Sequence, residues 1–481
     1  MPIPEERISH SNWFAPFWLA LVLALAPQTL LAQQAPSDPL RFTSGPWDVK
    51  FGFDGGIQIA GEWGSWWNLA SSVAPTANYK PDRGWSELWA KPSLRVTYSA
   101  SEHLALYGGV AAMGTRTLGH DVFEEGDTGH VSLENGYAGI RIKTADGLSL
   151  DLSGGQQDYS IGNGMLIQTG AGNGFERGAL LFAPRTAWGM TGVARLSLAS
   201  VSFDAFYLDP NELSSSDTKT RLAGAKTEVR LAPNQMAGLA YIDVLSSEYP
   251  SMQAPLTLVP NGRDGLQTIH GYVRVEPLPS VPGLWIAGDL AQQWNDRIDL
   301  RAVGGQGEVG YTAAKLPFSP TFSYAYRYFS GDDPATGRNE RFDPLFYAGS
   351  PTLWATGGNG SLAFYNSNVQ AHRLGVDLVL TQSDLLKFRY WRVDAAELNS
   401  PIQFGQATRL GFSGSLPVLL VGVQKPQLSD HFYVEYTKLL TQNLFLTSGV
   451  ALSAPGAGLK EIAPGSTENW WGAYTAFIWK Y

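Results

Sequence analysis

Residues 47–59 read Trp-Asp-Val-Lys-Phe-Gly-Phe-Asp-Gly-Gly-Ile-Gln-Ile. Apolar or small side chains occupy every second position (Trp47, Val49, Phe51, Phe53, Gly55, Ile57, Ile59), with Asp48, Lys50, Gly52, Asp54, Gly56 and Gln58 between them. Successive side chains of a strand point to opposite faces, so this stretch is a strand with one apolar and one polar side. Roughly ten such residues, tilted, cross a bilayer.

The same alternation recurs over 87–98, 103–115, 133–143, 148–153, 187–198, 199–208, 220–231, 236–246, 266–277, 284–295, 300–313, 320–330, 368–381, 384–394, 430–440, 442–453 and 469–481. With 47–59 that makes about 18 strands, an even number as in single-chain bacterial barrels. Short connections such as 99–101, 144–146, 232–234 and 382–383 alternate with long Gly/Asn/Pro-rich ones at 64–84, 116–130, 155–180, 247–264, 331–367 and 396–428. One rim therefore carries tight turns and the other long loops. The last strand places Trp471, Ala473, Thr475, Phe477, Trp479 and Tyr481 on one face. No second layer is visible to cover the apolar faces, and closure would remove the unpaired edges that hydrocarbon does not tolerate. The fold class is all-β: a transmembrane antiparallel β-barrel of about 18 strands forming one domain over 47–481. A soluble sandwich is the alternative.

Composition agrees. The 481 residues are 44% hydrophobic but only 16% charged, with 53 Gly, 16 Trp, 20 Tyr, 22 Phe and no Cys. Mean hydropathy of -0.11 is too polar for a bundle of spanning helices. Without Cys there are no disulfides or thiolate sites. A net charge of -9, from 34 Lys+Arg and 43 Asp+Glu, argues against a nucleic-acid partner. The apolar run Trp13–Pro27, with a small residue at Ala32, reads as a signal peptide over 1–32, and 33–46 as an unstructured lead-in. The run is too short to favour the alternative of a membrane anchor.

Several short segments resemble the alginate-export family of outer-membrane porins: Phe477–Tyr481, Trp391-Arg392-Val393-Asp394, Gly155-Gln156-Gln157 with Gly162 and Gly164, and Phe342–Tyr347 around Asp343. The resemblance implies a monomeric 18-strand barrel whose lumen, lined by Arg and Lys, passes a polyuronate. Lys50 matches a pore lysine of the family, and Lys91 falls where the exporter has arginine. The sequence departs from the family at Gln156, which replaces an arginine, and before Glu134, where Leu133 replaces another.

Phase along the strands sorts lumen from lipid. Lys50, Lys91, Arg95, Arg141, Arg327, Arg373, Lys387 and Arg389 fall on polar faces, as do Asp48, Asp54, Asp151, Asp204, Asp243, Asp289, Asp377 and Glu435. Arg327, Arg373, Lys387 and Arg389 lie on three consecutive strands and would form one basic wall attractive to anions. Alternatively, each pairs with a carboxylate on a neighbouring strand. Trp89, Tyr137, Phe206 and Trp391 also point inward, to stack on sugars or to fill space. The long loop 331–367 is the candidate constriction.

No HExxH or GxSxG spacing is present, and neither enzyme activity nor a cofactor is expected, although a barrel hydrolase, with His270 or His431 near a Ser, or a structural barrel with a filled interior and no pore is a remote alternative. The expected function is passive passage of a polysaccharide or oligosaccharide, including anionic polymers such as alginate. A substrate-selective uptake porin for small sugars or organic acids is the alternative. An open basic lumen would favour the polymer, and a constriction of inward-folded loops the small solute. The barrel pattern starts at Trp47, which leaves no room for an energy-coupled plug domain. The expected partners are the lipid of the outer membrane, the sugar solute, and the insertion machinery that reads the strand ending at Tyr481.

Overall fold

The computed structural model describes residues 40–66, 80–121, 126–181, 183–254, 257–347, 366–402, 409–413, 416–420, 422–462 and 468–481. Residues 1–32, expected to be a signal peptide, lie outside the described residues. Eighteen long strands form the barrel. β1 is Trp47–Trp63, β2 Arg83–Ser99, β3 Leu104–Gly119, β4 Gly129–Lys143, β5 Ser149–Gln156 and β6 Met190–Leu198. β7 is Val201–Asp209, β8 Arg221–Ala232, β9 Gln235–Ser246, β10 Gln267–Val275, β11 Leu284–Asn295 and β12 Leu300–Thr312. β13 is Thr321–Phe329, β14 Val369–Val379, β15 Asp384–Asp394, β16 Gln427–Thr441, β17 Leu444–Pro455 and β18 Trp470–Lys480.

Each strand pairs antiparallel with its neighbours in sequence, and β18 returns to β1 with Asp54 opposite Lys480 and Trp63 opposite Trp471. The sheet is closed, so the barrel strands leave no free edge to lipid. Because β18 stops beside Asp54, the first turns of β1 need another partner. Arg41–Ser44 supplies it by pairing with Trp47–Lys50, and Arg41 Nε sits 2.8 Å from Asp48. This corrects the expectation that 33–46 is unstructured, at least over these four residues.

Alternation decides which way each side chain points. On β1, Phe51, Ile57, Ile59 and Trp63 are exposed outward, whereas Gln58, Ala60 and Glu62 are buried inside. The same outward apolar surface continues around the ring, with Ile59 and Leu290 each 65% exposed. A continuous belt of this kind in water would be an aggregation surface, and hydrocarbon is its natural solvent. The phase breaks once near the site. Ala111 pairs with Asn135 while Ala112 pairs with Leu133, so Glu134 is the extra residue of a bulge and both Glu134 and Asn135 are buried. Asp243 was expected inward but shares the outward phase of Leu239, Tyr241 and Leu245 on β9.

Candidate functional site: a plugged, charged lumen

The apolar core of this molecule lies inside the barrel. The connection from β5 to β6, residues 157–189, folds inward and buries Tyr159, Ile161, Met165, Leu166, Ile167, Leu180, Leu181 and Trp188. Two wall carboxylates hold it. Glu87 on β2 accepts the Leu181 amide at 3.0 Å and the Trp85 indole N–H at 2.8 Å. Glu134, presented by the bulge on β4, accepts the Thr186 and Ala187 amides at 2.7 and 3.0 Å and faces Arg185 Nη1 at 3.4 Å. Both side chains of the Glu134–Arg185 pair are fully buried. Such carboxylates are tolerable away from water because several N–H groups point at them. Burial in the plug pushes the Arg177 guanidinium down to about 10. Arg177 donates to the carbonyls of Gly172, Asn211 and Glu212.

The loop crosses the lumen. At its tip Gly162 has φ +55° and lies against Tyr272 of β10, where an added Cβ would come within 2.5 Å of the ring. Gly164 has φ +79°, and its amide donates to Ile161 O at 3.0 Å. These left-handed positions favour glycine and make the tight turn at the far wall. There Asn163 Nδ2 donates to Asp289 Oδ2 of β11 at 3.0 Å.

A second loop meets the first. The Phe346 amide donates to Leu166 O, and the Gln168 amide donates to Phe346 O, both at 2.9 Å. Asp343 takes two 2.8 Å bonds from Arg263 and accepts the Leu345 amide, while Gln293 on β11 bonds the Asp343 backbone in both directions. The described part of the expected constriction loop 331–367 therefore does fold inward, but as the junior partner of 157–189. Inward residues at the long-loop end are covered all round the wall: Gln58, Glu87, Thr117, Ile242, Gln293, Phe329, Val393 and Ser453 are each at most 1% exposed.

Below the plug many inward side chains are charged, and several of them reach water. Arg141 pairs with Asp151 at 2.7 Å, Arg195 with Asp204 at 2.7 Å and Lys387 with Glu435 at 2.9 Å, each across one strand boundary. Arg389 pairs with Asp377. Lys50 stands opposite Arg95, and Lys91 opposite Asp54. Lys91, Arg95 and Lys143 make no ion pair among the described residues. Lys50 and Arg95 face each other across the ladder, and Asp54 lies near enough to Lys91 and Arg95 to offset part of their charge.

Among solved structures, this barrel is similar to the outer membrane protein OprD from Pseudomonas aeruginosa, with 12% identity, TM-score 0.51, and coverage of 90% of this chain and 94% of that one. It is similar to Pseudomonas aeruginosa OccK7 (OpdD) at 10% identity, TM-score 0.51, covering 90% and 98%. For OccK5 (OpdH) of the same organism the values are 10%, 0.50, 90% and 97%. The fold is that of an outer-membrane porin. No family model matches the chain. No curated protein matches it either. The resemblance to the alginate-export family thus has no wider sequence match behind it.

Within the porin barrel the expected basic wall does not form. Arg327 and Arg373 are 0% and 1% exposed, stacked beside Trp391 at 5.0 and 5.9 Å from its ring centre. Arg373 is bonded to Glu308 and, at 2.8 Å, to Ser323. Lys387 and Arg389 are also paired, and the inward cations without an ion pair among the described residues include Lys91 and Arg95 on β2, Lys143 on β4, Arg274 on β10 and Lys480 on β18. Phase placed these arginines correctly but could not show their partners, because Glu308 lies two strands away. Trp391 fills space, as do Trp89 and Phe206, each buried. Tyr137 packs edge-on to Tyr107. Gln156 donates to Leu133 O at 2.9 Å, tying β5 to β4. Arg392 and Asp394 face outward, away from any solute. His270 bonds Asp289 at 2.9 Å, and His431 bonds the buried Ser453 within the wall.

Proposed function

We infer that this chain is an outer-membrane porin for selective passage of small anionic solutes, organic acids or acidic sugars, rather than an exporter of polysaccharide. One observation carries the reading: the loop-side half of the lumen is packed with the apolar and hydrogen-bonded residues of 157–189 and 331–347. A polymer conduit needs an open, wettable bore along its whole length. A plugged one discriminates by size. The sign of the solute is supported by Lys91, Arg95 and Lys143, which make no ion pair among the described residues on the wall beneath the plug and would draw anions toward it. The apolar belt and the porin fold support the location.

Planar-bilayer recording of the purified mature protein tests this. Low conductance, anion preference and current block by small mono- and dicarboxylates are expected. A large, steady conductance blocked only by polyuronate chains would overturn the reading in favour of polymer export.

A further inference from the structure

The outward face should be apolar from girdle to girdle, yet four adjacent strands depart from this near the long-loop rim. On β15 and β16 the Arg392 Nε lies 3.4 Å from Asp394, and its Nη1 lies 3.5 Å from Asp430. Asp430 also accepts Tyr390 Oη at 2.7 Å and Gln427 Nε2 at 2.9 Å. On β13 and β14, Tyr324 Oη and His372 Nδ1 are 2.7 Å apart, and the Tyr326 ring packs 4.9 Å from the His372 ring. The guanidinium contacts are long, and Arg392 keeps 38% of its side-chain surface exposed.

Ionisable groups on a lipid face are costly unless a polar partner meets them. The chemistry of the partner is legible. A purely anionic headgroup would want a basic cluster, but this patch mixes a planar fork, two carboxylates and flat aromatic faces. That combination suits a saccharide, whose hydroxyls donate to carboxylates, whose ring faces lie on aromatics, and whose phosphate takes an arginine fork. Directly below on the same strands the surface turns apolar at Leu374, Phe388 and Phe432, which are 57%, 40% and 48% exposed. Polar cluster above, apolar stripe beneath: the sequence of surfaces matches one amphiphile.

We propose that this patch binds a glycolipid of the outer leaflet, with a phosphorylated sugar headgroup on Arg392, Asp430 and His372 and acyl chains along Leu374, Phe388 and Phe432. The proposal rests on the outer-membrane reading but not on the plug or on the solute.

The test is native mass spectrometry of the detergent-solubilised full barrel with a bisphosphorylated diglucosamine lipid as probe and phosphatidylglycerol as comparison. Wild type is expected to retain the glycolipid over phosphatidylglycerol. The Arg392→Gln/Asp430→Asn double variant should lose about tenfold in retention, as expected for loss of charge-assisted hydrogen bonds, with conductance unchanged. Arg392→Lys keeps the charge without the fork and should fall between the two. Equal retention by wild type and double variant, or of both lipids by wild type, would overturn the proposal. So would a wild-type dimer that binds no glycolipid and dissociates in the variant, which would assign the patch to a second copy. A barrel that binds the glycolipid but passes no current would sink the channel reading and leave this one standing.

Discussion

Asn163, at the tip of a loop that leaves β5, donates at 3.0 Å to Asp289 on β11, joining distant parts of the lumen wall through the middle of the barrel. The loop is thus held at both ends, by Glu87 and Glu134 near its root and by Asp289 at its tip.

Unlatching should open the channel. Glu134→Ala strands the buried Arg185 and removes the acceptor for two amides, and breaking a buried pair from one side costs about 3–5 kcal/mol. Single-channel recordings should show higher and noisier conductance. Asn163→Ala, which loses one hydrogen bond, should produce a smaller change in the same direction. A conductance indistinguishable from wild type in Glu134→Ala would mean that the loop does not limit flow.

Ion preference should track the cations without ion pairs rather than the buried ones. Replacing Lys91, Arg95 and Lys143 together with Gln is expected to shift the reversal potential under a salt gradient toward cations, with little change in thermal stability. Arg373→Ser should do the reverse. It leaves the buried Glu308 without its Arg373 partner, so it should lower stability by about 3–5 kcal/mol and hardly move selectivity.

Asp343→Asn should loosen the second loop. It weakens the two-pronged bond to Arg263, and charge-assisted bonds are worth about 1.5–3 kcal/mol. Limited proteolysis should cut within 331–347 faster than in wild type while the barrel fragment stays intact. Equal cutting rates would show that Gln293 and Phe346 hold the loop unaided.

Acid should favour docking of the loops. Burial raises the carboxyl of Glu212, which lies in the β7–β8 connection that holds Arg177 of the plug and accepts the Thr218 amide and hydroxyl, and likewise raises that of Asp332 in the second loop, which accepts the Glu340 and Ala254 amides. Each group binds its proton more tightly in the docked loop than in the released one. Its contribution is therefore complete below the ordinary carboxylate range and declines as pH rises through the raised value. Opening events should become more frequent from mildly acid to neutral pH. The Glu212→Gln/Asp332→Asn variant should flatten that slope, and a wild-type record already flat would refute the assignment.

The barrel was readable because each strand carries one apolar face, and nothing but a strand repeats with period two. Trp47–Ile59 shows this without help from any other segment. The plug was not readable by the same means. Ile161, Met165-Leu166-Ile167 and Leu180-Leu181 have no period, and they sit among glycines in what reads as an external loop. Their hydrophobicity was the available signal, since a water-exposed loop has no use for such side chains. Phase gave the facing of Arg327 and Arg373 but not their neighbours. Asp243 was assigned to the lumen on polarity alone, although its phase with Leu239 and Tyr241 points outward. The bulge at Glu134 is invisible to any reading that assumes unbroken alternation.

Trp470 on β18 donates its indole N–H to Glu62 on β1 at 2.9 Å, a contact between residues 408 positions apart. Nearly the whole chain must be in place before that seam can shut, and the interior that 157–189 fills does not exist until it does. Loop docking is therefore the final stage of maturation and the first to be lost on heating. Two separate melting events should follow: an early one that releases the interior packing without dismantling the hydrogen-bonded cylinder, and a much later one in which the cylinder itself comes apart.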